Sequence, residues 1–299
     1  MLQEEIFATL AYYDVHNMPL RAGEVFRYLI KKESSFPSRQ EIEKELKAIP
    51  EREGYYYLFG REYLVPLRHK RAKLAWDKWR RTYRAMKWLR AVPFVRVIFA
   101  SGSLALHNTE ELSDLDILLV VKNGRIWFVR LGVLTILAVL GIRRKHTDRF
   151  APDKICPNHF VTDASLKIPF QSVYTAQLYA NLIPLVVTDR SLLKKFEIAN
   201  EWVFHYLHHW QMEEGHIIAR GLGDVARRFG EFFLAGRLGD FLENLARYFQ
   251  KRRIEAHAVP LHPGGHLAYT NTQLAFHSDS SETELLLRYE QNMRKINVL

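Results

Sequence analysis

Two aspartates, Asp114 and Asp116, stand one residue apart at the head of an apolar run, Ile117-Leu118-Leu119-Val120-Val121. On a strand, residues i and i+2 share a face. Both carboxylates therefore point the same way, and Leu115 between them points into the core. Like charges side by side are costly unless a cation neutralises them. A divalent metal is the usual reason to keep such a pair, because Mg²⁺ takes one or two protein carboxylates and fills its shell with water and phosphate oxygens. Upstream lies Ala100-Ser101-Gly102-Ser103. Its small residues suit a tight turn where backbone N–H groups and a hydroxyl reach phosphate oxygens.

Two strands must position these groups. Val95, Val97 and Phe99 alternate, so Phe94–Ala100 reads as a buried strand leading into the Gly-Ser turn. The second strand starts at the acidic pair. Turn and acids lie on successive strands and meet at one sheet edge.

Gly102-Ser103, ten intervening residues, then Asp114-Leu115-Asp116 and an apolar run resembles the signature of the DNA polymerase β-type nucleotidyltransferase superfamily. The resemblance implies a metal-dependent enzyme that moves a nucleoside monophosphate from an NTP to an acceptor, which is RNA, protein or a small molecule. Gly102 and Ser103 would hold the β/γ-phosphates, and Asp114 and Asp116 would bind Mg²⁺ or Mn²⁺. In that family a third carboxylate usually sits on a later strand. Here that strand is Ile155–Thr162, whose centre is Asn158 and whose nearest acid is Asp163 at its end. Asn158 offers a neutral carbonyl ligand but no base. Asp163 or Asn158 would complete the catalytic set. Arg125 and Arg130, on the helix after the second strand, are candidates either for triphosphate contact or for surface salt bridges.

The remaining chain bounds these expectations. With 299 residues, 48% of them hydrophobic, it can bury sizeable cores. The single cysteine, Cys156, excludes an internal disulfide, and no Cys/His cluster has zinc spacing. The N-terminus has no basic segment of a signal peptide. The most membrane-like run, Leu131–Ile142, is twelve residues long, short of the ~20 that a span needs. A cytoplasmic protein without membrane contact is the expectation.

The fold class expected is α+β. Residues 1–67 read as a winged-helix-like domain: three helices, the third (Arg39–Ala48) opened by a Ser38/Glu41 capping box, then a hairpin across Phe59-Gly60-Arg61. Such a domain contacts nucleic acid or a protein partner. Residues 68–92 read as a linker helix with Ala72, Trp76, Trp79, Tyr83, Met86 and Leu89 on its apolar face. Arg68–Arg90 holds ten Lys/Arg against one acid, Asp77, which is nine of the ten net positive charges. That concentration suits a polyanion such as nucleic acid. By the same resemblance residues 93–190 would be the nucleotidyltransferase core, and 191–299 read as a helical C-terminal domain, with a loop over 257–281 turned at Pro263-Gly264-Gly265. A second reading competes with catalysis: a catalytically weak nucleotide-sensing or regulatory protein with a DNA- or partner-binding winged helix.

Overall fold

A computed structural model describes residues 2–33, 35–145, 148, 150–256, 265–277 and 282–296. The elements in order are α1 (Leu2–Val15), β1 (Leu20–Arg21), α2 (Ala22–Tyr28), α3 (Arg39–Leu46), β2 (Glu51–Arg52), β3 (Tyr55–Tyr56) and α4 (Leu64–Leu89). Next come β4 (Val95–Ala100), α5 (Gly102–Ala105), β5 (Leu115–Val121), α6 (Ile126–Val139), β6 (Ile155–Thr162), α7 (Val173–Ala180) and β7 (Ile183–Val187). α8 (Ser191–Ala199), a 3₁₀ turn at Glu201–His205, α9 (Leu222–Leu234), α10 (Arg237–Ala256), β8 (His266–Tyr269), β9 (Gln273–His277) and α11 (Glu282–Ile296) complete the chain. The architecture is mixed α/β.

β1, β3 and β2 form a small antiparallel sheet in that order. The hairpin is earlier than the sequence suggests. It turns at Glu53-Gly54, both with positive φ (58° and 78°), the backbone of a two-residue hairpin turn. The aromatic run after it is irregular. The Ser38/Glu41 capping box forms as expected, with Ser38 Oγ accepting from the Glu41 N–H and Glu41 accepting from the Ser38 N–H at 2.7 Å.

The main sheet has six strands in the order β7-β4-β5-β6-β9-β8. β5 and β6 are parallel and the other pairs antiparallel. β4 is buried on both faces. Val97 and Phe99 join one apolar cluster, Val95, Ile98 and Ala100 the other, with a register irregularity between Val95 and Val97. Residues 265–277, expected within a loop, make the β8–β9 hairpin at the sheet edge. Pro263-Gly264 and Ser281 lie outside the described residues.

The first cluster is continuous from Ile6 and Leu10 of α1 and Leu29, Ile42 and Leu46 near α2 and α3 through Phe99 to Phe196 of α8. The first 67 residues thus bury their apolar faces in the same core as one side of the main sheet. The second cluster holds the other sheet face under α4 and α6, with Trp79, Met86 and Trp127 fully or nearly buried. Burying each such side chain contributes roughly 1.5–3 kcal/mol.

α4 begins at Leu64, with Pro66 in its first turn, where the missing N–H costs nothing. Its buried face differs from the expected apolar one. Ala75, Trp79, Met86 and Leu89 are inside, but so are Arg68, Arg71, Lys78 and Arg90, whereas Trp76 is 70% exposed. The buried cations have internal partners. Arg68 donates to the Leu106 carbonyl at 2.9 Å, Arg71 pairs with Glu110, and Lys78 donates to the Ser113 carbonyl at 2.6 Å. Arg90 pairs with Asp224 at 2.9 Å. Part of the positive charge of this helix therefore fastens the 106–113 loop, which leads to the acidic pair.

Candidate functional site

The β4–β5 register sets the centre. Ala100 pairs with Ile117, and the Ser101 N–H donates to the Asp116 carbonyl at 3.0 Å. The Gly-Ser turn therefore abuts the acidic strand end. Gly102 has φ +65°, and a Cβ there would stand 3.0 Å from Asp116 Oδ2. Only glycine provides both the left-handed backbone and the room.

Parallel pairing with β6 supplies the other wall, with Asp116 opposite Cys156. Ligand atoms of Asp114, Asp116 and Cys156 all lie within 4.8 Å of one another. Asn158, two residues on and on the same face, donates from Nδ2 to Asp116 Oδ1 at 2.8 Å. Arg144, from the loop before β6, pairs with Asp114.

Charge at this point is finely balanced. Burial, then the neighbouring Asp114 carboxylate, push the Asp116 carboxyl up to about 7, against the pull of Arg144. Burial and the same two carboxylates push the Cys156 thiol well up, so it stays protonated and is a weak donor beside two oxygens. The two carboxylates suit a hard divalent cation.

A cleft of about 390 Å³ opens beside Asp116. Gly102, Ser103 and Ser113 line one side. Tyr12 and Tyr13 of α1, His16 just after it, Tyr174 and Gln177 of α7 and its C-cap Asn181 line the other. Burial and the Arg71 charge bring His16 down to about 4, so it is neutral near pH 7. Tyr13 is locked in place, donating to Gln177 Oε1 at 2.8 Å and accepting from Asn181 Nδ2 at 3.2 Å. Compared with known proteins, the chain matches no family model, no curated protein and no solved structure.

Of the residues singled out in the sequence, Gly102, Ser103, Asp114, Asp116 and Asn158 come together. Three others do not. Asp163 lies past the far end of β6, accepting from the Asn123 N–H at 2.8 Å. The length of the strand puts it about 20 Å from Asp116, in a separate cleft with Arg96, Asp189 and Lys195. Arg125 pairs with Asp240 at 2.7 Å and stacks over Phe94. Arg130 donates to Gln250 at 2.6 Å, and burial brings its guanidinium down to about 10. Both arginines are turned toward α10 because α6 packs its flank there. Nothing in the spacing of the sequence marks Cys156, Arg144 or the cleft walls as neighbours of the acidic pair. The stripe Tyr174, Gln177, Asn181, at helical spacing, was the available signal for one wall.

Proposed function

We propose that this protein is a metal-dependent nucleotidyltransferase. The supporting observation is the placement of Asp114 and Asp116 against the Gly102-Ser103 turn on the rim of a cleft large enough for a nucleotide. Asp114 and Asp116 would hold Mg²⁺ or Mn²⁺, with the Asn158 amide, which donates to Asp116 Oδ1 at 2.8 Å, holding that carboxylate in its ionised form. A bound divalent ion would supply charge stabilisation for attacking and leaving oxygens. The chain's own part is positioning. The turn presents N–H groups and the Ser103 hydroxyl to phosphate, Lys78 fixes the segment before Asp114, and Tyr174 of α7, the half-buried tyrosine of the cleft, gives the base an apolar surface. Arg144 offers a positive group that can pass from Asp114 to phosphate when metal takes its place. A cytoplasmic location accords with an NTP substrate.

The acceptor surface proposed is the outer arc of α4, where Lys73, Arg80 and Arg84 surround the exposed Trp76, a basic and aromatic combination suited to RNA. The order β1-β3-β2 with three helices supports a winged-helix reading of residues 1–67. Its third helix carries balanced charge, which favours a protein partner over DNA.

Incubation with labelled NTP, Mn²⁺ and total RNA or cell extract tests the reading. Wild-type protein should transfer label, and Asp116→Ala should lower the rate by at least about 10³-fold while the fold persists. An unchanged rate in the variant would exclude the site. The regulatory alternative is favoured by one observation: among the described residues, β6 brings no third carboxylate to the pair. Mg·NTP binding without turnover on any acceptor would select it.

A further inference from the structure

α9 and α10 are turned inside out. A surface helix of a globular protein buries its apolar stripe and shows its polar one. On α9 the inward residues are Asp224, Arg227 and Glu231. Asp224 takes Arg90, and Glu231 accepts from the Phe94 N–H at 2.9 Å and from Arg96 at 2.8 Å. Its outward residues are Leu222, Val225, Phe229, Phe232 and Phe233, 56–90% exposed. α10 repeats the pattern. Glu243 accepts from the Trp127 and Phe128 N–H groups, and Gln250 donates to the Trp127 carbonyl at 2.8 Å. Leu238, Phe241, Leu245, Tyr248 and Phe249 face out, 40–62% exposed.

Both helices cover the same side of the main sheet. α9 lies over the end of α4, with Gly230 against Pro93, and α10 lies over α6. Their apolar faces therefore open in a common direction. Together the ten side chains present on the order of 1,000 Å², beyond the largest apolar patch of an ordinary monomer.

Charge selects what covers them. The exposed cations of the two helices are Arg228, Arg237, Lys251, Arg252 and Arg253. Their exposed acids are Asp240 and Glu255, paired with Arg125 and Lys251. Arg252 lies over the Tyr248 ring, 5.1 Å away, within the apolar arc itself. A second copy of the chain would bring two cationic rims face to face. An anionic lipid surface satisfies both components, with Phe, Leu and Tyr at the headgroup–acyl boundary and Arg and Lys against phosphate. We propose that α9 and α10 form a platform on which the protein lies on an anionic bilayer. Among the described residues no helix is long and apolar enough to cross a membrane, and the attachment proposed is peripheral.

Co-sedimentation of the full chain with phosphatidylcholine vesicles and with mixed phosphatidylcholine–phosphatidylglycerol vesicles tests this. Binding to the mixed vesicles should be at least about tenfold tighter than to the neutral ones and weaken with salt. Phe232→Glu/Phe241→Glu should abolish it without lowering the melting temperature, since both side chains face solvent. Leu222→Glu, at the most exposed position, gives the same readout if the double variant misfolds. Wild-type protein that ignores anionic vesicles, or variants that bind them equally well, would overturn the proposal. So would a dimer in sedimentation velocity that the phenylalanine variants dissociate, with no vesicle binding.

Discussion

Asp116 is the residue on which the site turns, and its proton gives a direct test. The unfolded chain releases that proton near pH 4, the folded chain near 7. Between these values the folded state binds more protons, so the stability present below the window falls as pH rises through it. The ionised, buried carboxylate therefore destabilises the fold at pH 8 relative to pH 5. Asp116→Asn should therefore melt higher than wild type at pH 8 in a chelator and lose the stabilisation that Mn²⁺ gives wild type. Scanning calorimetry at pH 5 and pH 8 reads both effects, and a lower melting temperature for the variant at pH 8 would contradict the assignment. The carboxylate pair was legible in the sequence because strand alternation is a local property. Arg144 and Cys156 were not, since they reach Asp114 and Asp116 only through the parallel pairing of β5 with β6. Asp163 misled for a related reason: alternation says which face a residue takes, not which end of the strand meets the site.

Elements hold these residues in place, and each support makes a distinct prediction. Gly102→Ala places a Cβ against Asp116 Oδ2 on a left-handed backbone. It should cost about 1–2 kcal/mol in chemical denaturation and weaken Mn²⁺ binding, whereas Ser103→Ala should leave divalent affinity unchanged. Lys78→Met tests the inner face of α4. The buried ammonium, which also pairs with Asp153, holds the loop before Asp114. Its removal should cost about 1–3 kcal/mol and weaken Mn²⁺ binding without the variant touching the ion. Equal affinity in isothermal titration would make Lys78 a support of the fold alone. The existence of α4 was plain in its periodicity. Its orientation was not, because hydropathy scores Arg68, Arg71 and Lys78 as outward residues while their partners come from distant segments, the 106–113 loop, Glu24 of α2 and the turn after α1. The same blindness hid the true facing of α9 and α10, whose periodicity is clear but whose polar side is the buried one.

At the scale of the molecule, the apolar cluster that runs from Ile6 to Phe196 joins the first three helices to the main sheet. Calorimetry should accordingly record one transition, its van't Hoff and calorimetric enthalpies equal. Two resolved transitions would show that residues 1–67 fold separately, as their sequence alone suggests. The clustering of charge in one segment was visible from composition, but the merging of cores was not, because each apolar stripe reads alike whatever it packs against. Chain order adds a last consequence. Tyr12 stands edge-on to Tyr289, and Asn292 donates to the Ala11 carbonyl at 3.3 Å across 281 positions. α1 carries the aromatic wall of the cleft, yet its outer side is covered only when α11 arrives. On the ribosome, α1 must wait for α11 before that wall is seated, so a nascent chain stalled before residue 282 would carry the acidic pair without a finished pocket beside it.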